Sequence, residues 1–411
     1  MVMIFSSLPF FFNAARVRRI ARVWSFFVPC LFILTWSRFF DSATLRFKIA
    51  LPTAGLPLGW DFINFWSGPA LALAHRLPDL YDPVAYPAFL RTLTGCDHLA
   101  FFNYSYPPPF LLFTLPLGLL PYPVAFFLWL AVGFGALGLA LRAAFPTRPA
   151  FSYAWAAPAF LACVLTGQTG LLVAAALGSG LALINRRPWT AGLLLGSLIL
   201  KPHMGLVVPI VLAFGRRWQT LAVTGLTALA WLAASVIVFG VDPWSGFFAN
   251  AAMIRQAFLD TFSSMASRTV SVFMLARSLG LPVGPSYFIQ GLCVAFVVFF
   301  LGWIERRPFP AAVRAAAAVT SPFLVLPYVQ DYDMVALLFA VRWLDQAEGD
   351  AALKRPTLVF LAQVGLLLAP LLAPHLTVLT DGLQIGPLML LPTAFYLATF
   401  PTPRARRPET T

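Results

Sequence analysis

Asp61 stands in the run Gly59-Trp60-Asp61-Phe62-Ile63-Asn64-Phe65-Trp66, a carboxylate set among aromatic rings. Burial against rings raises a carboxyl pKa and suits the group to accept a proton, so the pattern suggests general-base chemistry. The same aspartate is also placed to N-cap a helix through Trp66 to Arg76, and the two readings are compatible. Lys201-Pro202-His203 interrupts an otherwise apolar stretch. A charge there is costly and marks a site or a partner. A lysine at the outer leaflet attracts a lipid phosphate, whereas snorkelling to the interface is the structural alternative. Gly167-Gln168-Thr169-Gly170 lies between two apolar segments. There Gln168 either hydrogen-bonds a ligand hydroxyl or satisfies backbone groups freed at a tight turn.

Other polar groups are open to two readings. The tyrosines of Tyr104-Ser105-Tyr106-Pro107-Pro108-Pro109 either line a sugar site or join an interfacial aromatic belt. Leu80-Tyr81-Asp82-Pro83 reads chiefly as a helix start with proline at its first position. In Gln330-Asp331-Tyr332-Asp333 two carboxylates could hold a metal, but no matching His or Glu is near in sequence, so no metal is assigned. Solvent-exposed loop carboxylates are the alternative. Arg255, Arg268 and Arg277 call for either an anionic ligand or pairing with Asp260.

The elements that must position these groups follow from composition. Hydrophobic residues make up 60% of the chain and charged residues 10%, with mean hydropathy +0.82. A soluble domain carries about 25% charged residues, so lipid must cover most of this surface. The net charge of +13 would suggest nucleic acid in a soluble protein. Here the arginines sit between apolar runs, where they act as topology determinants. The cysteines Cys30, Cys96, Cys163 and Cys293 form no CxxC pattern or disulfide framework.

Basic residues cluster at Arg16–Arg22, Arg142 with Arg148, Arg186-Arg187, Arg216-Arg217, Arg306-Arg307, Arg342 with Lys354-Arg355, and Arg404–Arg407. Each interval admits a pair of helices, which puts every cluster and both termini on the cytoplasmic side. The expectation is an all-α polytopic membrane protein with about twelve spans, beginning with a retained signal-anchor over Val23–Phe40. It forms a single domain over 1–411, with extracytoplasmic loops at 41–106 and 241–285 and a disordered cytoplasmic tail at 401–411. Pro107 to Leu120 would reach only about 20 Å against roughly 30 Å of hydrocarbon. It is expected to be a re-entrant or interfacial helix on the outer leaflet beside a cavity, with the next span starting near Pro123. Trp189–Leu200 and Met204–Phe214 form a short hairpin with Lys201 and His203 at its apex, on the floor of an outward-facing cavity.

The order Trp60-Asp61-Phe62, Tyr81-Asp82-Pro83, Tyr106-Pro107-Pro108-Pro109 with Pro116-Leu117, Gly167-Gln168, Gly192 with Gly196, and Lys201-Pro202 resembles the family-87 glycosyltransferases. These are GT-C-type membrane enzymes similar to polyprenol-phosphate-mannose-dependent mannosyltransferases. The resemblance runs from Leu58 to Trp218, and Ser321-Pro322 and Asp331-Tyr332-Asp333 extend it more thinly. It implies a hexosyltransferase in the cell (inner) membrane that moves mannose or another sugar, with inversion, from a polyprenyl-phosphate donor to an extracytoplasmic glycan or lipid. In that reading Asp61 is the catalytic base, and Lys201, Arg268 and His203 hold the donor phosphate. Trp60, Asn64, Tyr81, Tyr104, Tyr106, Gln168, Asp331 and Asp333 then surround the substrates. The partners are the lipid-linked donor, the acceptor and membrane lipids, with no nucleic acid and no cofactor. A transporter or lipid flippase is the rival reading; it predicts inverted internal repeats, and the sequence offers none. A non-catalytic assembly subunit is the third possibility and would leave Asp61 and Lys201 far apart.

Overall fold

The computed structural model describes residues 30–400, apart from 43, 45, 52–54, 100–101, 147–153, 155–156, 262–267, 351–354 and 381. The expected clusters at Arg16–Arg22 and Arg404–Arg407, Arg148, Lys354, the first part of Val23–Phe40 and the tail at 401–411 lie outside the described residues.

Helices build the chain. The first polar segment adds two small antiparallel hairpins that an all-α expectation does not include. They pair β1 (Phe40–Asp41) with β2 (Arg46–Phe47), and β3 (Ala50–Leu51) with β4 (Leu56–Pro57). Then follow α1 (Phe62–Leu73), α2 (Ala85–Thr94), α3 (Pro108–Thr114), α4 (Tyr122–Ala144), α5 (Pro158–Thr166) and α6 (Gly170–Leu183). Next come α7 (Pro188–Gly196), α8 (Pro202–Gly205), α9 (Val208–Phe214), α10 (Trp218–Phe239), α11 (Asp242–Ile254), α12 (Val272–Ser278) and α13 (Val283–Glu305). The chain closes with α14 (Ala311–Thr320), α15 (Pro322–Val325), α16 (Leu337–Asp350), α17 (Pro356–Leu379), α18 (Gly386–Met389) and α19 (Leu391–Ala398). Proline supplies many of the starts, as at α3, α5, α7, α8 and α15. Its fixed φ suits the first helical turn, where its missing N–H is no loss.

Among the described residues, α4, α10, α13 and Thr357–Leu379 of α17 are the four helices long and apolar enough to cross a bilayer. Other apolar helices are shorter, including Pro108–Leu119, Gly170–Leu183, Pro188–Leu200 and Pro202–Phe214. Against about twelve expected spans, four helices among the described residues have spanning length, and the other apolar segments form shorter helices. The segment expected to be too short to cross is indeed short: α3 passes into a 3-10 turn over Leu115–Leu119, and the long helix α4 starts at Tyr122. The outer faces of α10 and α13 expose Leu226, Leu229, Ile237, Phe288, Leu292, Phe296 and Phe299. Apolar faces of that extent need lipid against them.

Close packing without a hydrophobic drive between helices depends on small residues. The pair Gly192 and Gly196, four positions apart, lays α7 directly on α10. A Cβ at Gly192 would lie 2.5 Å from the Cβ of Val223, and one at Gly196 would lie 2.6 Å from the Thr224 carbonyl oxygen. That contact fixes the 3-10 turn Ser197–Leu200 and the break at Lys201 that follows it. Gly196→Leu is expected to lower stability by about 1–3 kcal/mol through overpacking. Thermal melting of the purified protein checks this, and an unchanged midpoint would show that the helices do not depend on that contact.

Candidate active site

Three interruptions in the helices face one another: the turn before α1, the turn between α5 and α6, and the break at Lys201. At the first, Gly59 (φ +73°) and Trp60 (φ +42°) turn the chain sharply, and the Phe62 amide donates to the Gly59 carbonyl at 2.8 Å. Asp61 occupies the N-cap position of α1, yet its side chain makes no capping bond. Its Oδ2 instead accepts a hydrogen bond from Nε2 of Gln168 at 2.9 Å, 107 residues away in sequence.

The second turn explains that reach. Helix α5 ends at Gly167, whose φ of +63° is one that glycine adopts freely. A Cβ there would lie 2.6 Å from the Cβ of Phe62 and 3.0 Å from the Gly59 carbonyl oxygen. Only a glycine lets this turn press against the one that carries Asp61. Nε1 of Trp129 clamps it by donating to the Gly167 carbonyl at 2.9 Å. Oε1 of Gln168 accepts from the Tyr106 hydroxyl at 3.0 Å and from the Thr169 amide at 3.3 Å. Tyr106 is held in turn by stacking on Phe110 at 4.3 Å and by edge contact with Phe65 at 5.0 Å.

The third interruption brings the charge. Nζ of Lys201 contacts Oδ1 of Asp333 at 2.5 Å and Oγ1 of Thr169 at 3.2 Å. The lysine is 5% exposed and the aspartate 1%. Asp333 begins no regular span; it lies in the 3-10 segment Asp331–Ala336, which packs beside the start of α6. Gly170 permits that approach, because a Cβ there would strike the Tyr332 carbonyl oxygen at 2.3 Å. Asp331 takes Arg268 in a two-point bond, with Nε to Oδ2 at 3.1 Å and Nη2 to Oδ1 at 2.9 Å. Both cations then flank one ring: Lys201 lies 4.9 Å and Arg268 5.6 Å from the centre of Tyr332. Asp331-Tyr332-Asp333 is thus a clamp for two cations, buried rather than solvent-exposed. No cluster of His, Cys, Asp and Glu suited to a metal occurs among the described residues.

These groups enclose a cavity of about 330 Å³. Of the residues expected from the sequence, Asp61, Asn64, Tyr106, Gln168, Lys201, His203, Arg268 and Asp333 line it. Trp60, Tyr81, Tyr104 and Asp331 do not. Trp60 is exposed on its turn. The Tyr81 hydroxyl donates to the Tyr106 carbonyl at 2.7 Å, bracing the wall from behind. Tyr104 is buried, and its carbonyl accepts from Asn250 at 2.6 Å. Asp331 acts through Arg268. Arg277 holds the backbone carbonyls of Leu281 and Asp260, so it needs no anionic ligand. The walls desolvate the Asp61 carboxyl and raise its pKa, against the hydrogen bond from Gln168 and the charge of Arg268, which lower it; Asp331 raises it and Lys201 lowers it.

Other lining residues, Arg255 apart, carried no usable signal in the sequence. Asn103 donates to Asn250 at 2.8 Å across 147 residues, and both line the cavity with Phe247 and Tyr328. Arg255 also lines it, at the start of a π-helical turn over Arg255–Asp260. Among the described residues no carboxylate lies within ion-pair distance of it. The segments 41–106 and 241–285 therefore contribute to one wall. A second cavity, of about 480 Å³ and almost wholly apolar, is lined by residues such as Phe113, Leu172, Leu194 and Trp231. Lys201 lines both cavities.

The sequence pattern of glycosyltransferase family 87 matches residues 104–327, more than half of the chain. The match starts later than the resemblance noted from Leu58 and runs well beyond Trp218. It takes in Tyr106, Gln168, Lys201, Arg255 and Arg268, while Asp61, Asp331 and Asp333 fall outside it. No curated protein and no solved structure matches the chain.

Lys201→Met should strand Asp333 without its partner and cost about 3–5 kcal/mol of stability. The double variant Lys201→Met/Asp333→Leu, which removes both charges, should regain most of the lost melting temperature. Equal melting of the single variant and the wild type would show that the pair does not support the fold.

Proposed function

The chain belongs to glycosyltransferase family 87, and from that premise we propose that it transfers a sugar from a polyprenyl-phosphate donor to an extracytoplasmic glycan or lipid hydroxyl, with Asp61 as general base. It is a membrane glycosyltransferase; the donor, the face and the mechanism are the proposal. The observation that carries it is the division of labour among the carboxylates. Asp333 and Asp331 are each tied to a cation, whereas the bonded partner of Asp61 is a neutral amide. Asp61 is thus the cavity carboxylate left to take a proton.

The reaction is a single displacement. The acceptor oxygen attacks the anomeric carbon as its proton passes to Asp61. The bond from that carbon to the phosphate oxygen breaks, and polyprenyl phosphate leaves with the bonding pair. One displacement inverts the anomeric centre. A phosphate needs no proton to depart, so a second carboxylic acid is not required.

The paired cavities favour a lipid-borne donor. The apolar cavity suits a hydrocarbon tail, and the phosphate would then fall near Lys201, which lines both spaces. Lys201 and Arg268 are already neutralised by aspartates. They offer directed N–H donors more than net charge, and Arg255 supplies the uncompensated positive charge for the leaving phosphate. Asn103, Asn250 and Phe247 line the polar cavity and supply amide groups and a ring for an acceptor to rest on. The polar loops at 41–106 and 241–285 alternate along the chain with the basic clusters at Arg142, Arg186-Arg187, Arg216-Arg217 and Arg306-Arg307, which favours the extracytoplasmic face of the cell membrane for the cavity.

Asp61→Asn should lower transfer of labelled mannose from polyprenyl-phosphate mannose by about 10²–10⁴-fold at matched expression, the usual worth of a general base. Equal transfer by the variant would remove Asp61 from the mechanism. Because burial raises the Asp61 pKa and only the ionised form accepts a proton, activity should fall on the acid side. That fall should come at a pH above the ordinary carboxylate range, read from the acid limb of the kcat profile. Arg255→Gln is expected to raise KM for the donor with a smaller effect on kcat; an unchanged KM would take Arg255 out of donor binding.

A further inference from the structure

We propose that Gln168 is a positioning residue for the base: its carboxamide selects which oxygen of Asp61 faces the acceptor and keeps that carboxyl ready to accept a proton. The inference rests on the reading of Asp61 as the base and deepens it. It also reassigns Gln168, which is 6% exposed, from contact with the substrate to contact with Asp61.

The orientation of the carboxamide follows from its neighbours. Oε1 faces two groups, the Tyr106 hydroxyl and the Thr169 amide, and the amide can only donate. Turning the carboxamide over would set its NH₂ against that N–H and its oxygen against the Asp61 carboxylate. The Thr169 amide thereby fixes the flip, and Nε2 must donate to Oδ2 of Asp61. With Oδ2 occupied, Oδ1 is the oxygen left to take the acceptor proton. A donor aimed at a carboxylate favours the ionised form.

The placement of Gln168 is itself fixed. The left-handed Gly167 lets its turn contact Gly59 and Phe62, and Trp129 holds the Gly167 carbonyl. Sγ of Cys163 donates to the Gln168 carbonyl at 3.1 Å. The other charged groups that act on Asp61 are Arg268 and Lys201, which favour its ionised form, and Asp331, which opposes it. Around it stand the phenols of Tyr106, Tyr122, Tyr328 and Tyr332. Both cations already have carboxylate partners, so Gln168 is the direct donor to the base.

The test is an infrared pH titration of the full-length protein in lipid nanodiscs, with 13C-labelled aspartate. The Asp61 carboxyl band is the one lost in Asp61→Asn. Gln168→Leu removes the donor. Gln168→Glu keeps the shape and an acceptor for Tyr106 and Thr169, and its own carboxyl is silent under aspartate labelling. In both variants the midpoint of the Asp61 band should move up by about one pH unit, the size expected for losing a hydrogen bond to a charged group. The shift should be larger in Gln168→Glu, where two carboxylates face each other. The acid limb of transfer from polyprenyl-phosphate mannose should move with it. An unmoved midpoint in Gln168→Glu overturns the inference and leaves Gln168 as a structural member of its turn. Undiminished transfer by Asp61→Asn overturns the reading of the base instead, and this inference with it.

Discussion

The Lys201–Asp333 ion pair is the interaction on which the rest of the site depends. Both charges are buried, the lysine 5% and the aspartate 1% exposed. Each is tolerable there only because the other is present. The pair ties the break between α7 and α8 to the 3-10 segment that precedes α16, so two distant parts of the chain are held to one register. Arg268 and Asp331 repeat the arrangement on the other side of the Tyr332 ring. A dipeptide spacing of two aspartates thereby organises two cations around one aromatic face.

Neutrality of those pairs leaves the chemistry to two groups. Asp61 keeps a neutral partner, and Arg255 has no carboxylate within reach among the described residues. In the proposed reading the cavity then runs from a proton acceptor, Asp61, to an anion receptor, Arg255, between the two neutral ion pairs. Lys201, expected from the sequence to meet a phosphate, lines both the polar cavity and the apolar one.

Glycine does the positioning that helices alone cannot. At Gly167 a left-handed turn abuts Gly59 and Phe62, and at Gly170 the backbone of Tyr332 lies against the start of α6. Between them sits Gln168, whose buried carboxamide links Tyr106 to Asp61. Broken helices inside an apolar protein must have their freed polar groups satisfied by protein. Here that requirement and the assembly of the site are met by the same side chains.

The sequence by itself determined that lipid covers the chain, since 10% charged residues cannot make a wet surface. It also determined that Pro107–Leu120 and the two arms around Lys201 are too short to cross, because helix rise per residue is fixed. It singled out Asp61, Gln168 and Lys201, because polar groups in apolar company are costly wherever they fall. What it could not supply was partnership. Whether Asp61 capped its helix or faced a cavity was left open, and the answer came from Gln168, 107 residues away. Asp331 and Asp333 read from the chain as a metal pair or as loop carboxylates, and the resemblance set them around the substrates; their burial and pairing with Arg268 and Lys201 were not legible there. Tyr104 carried the same local signal as Tyr106, but of the two only Tyr106 lines the cavity. Periodicity and composition act along the chain, whereas hydrogen bonds and ion pairs at 2.5–3.2 Å depend on which segments meet. That meeting was decided by tertiary packing, through glycines that let backbones touch and through buried charges that had to find one another.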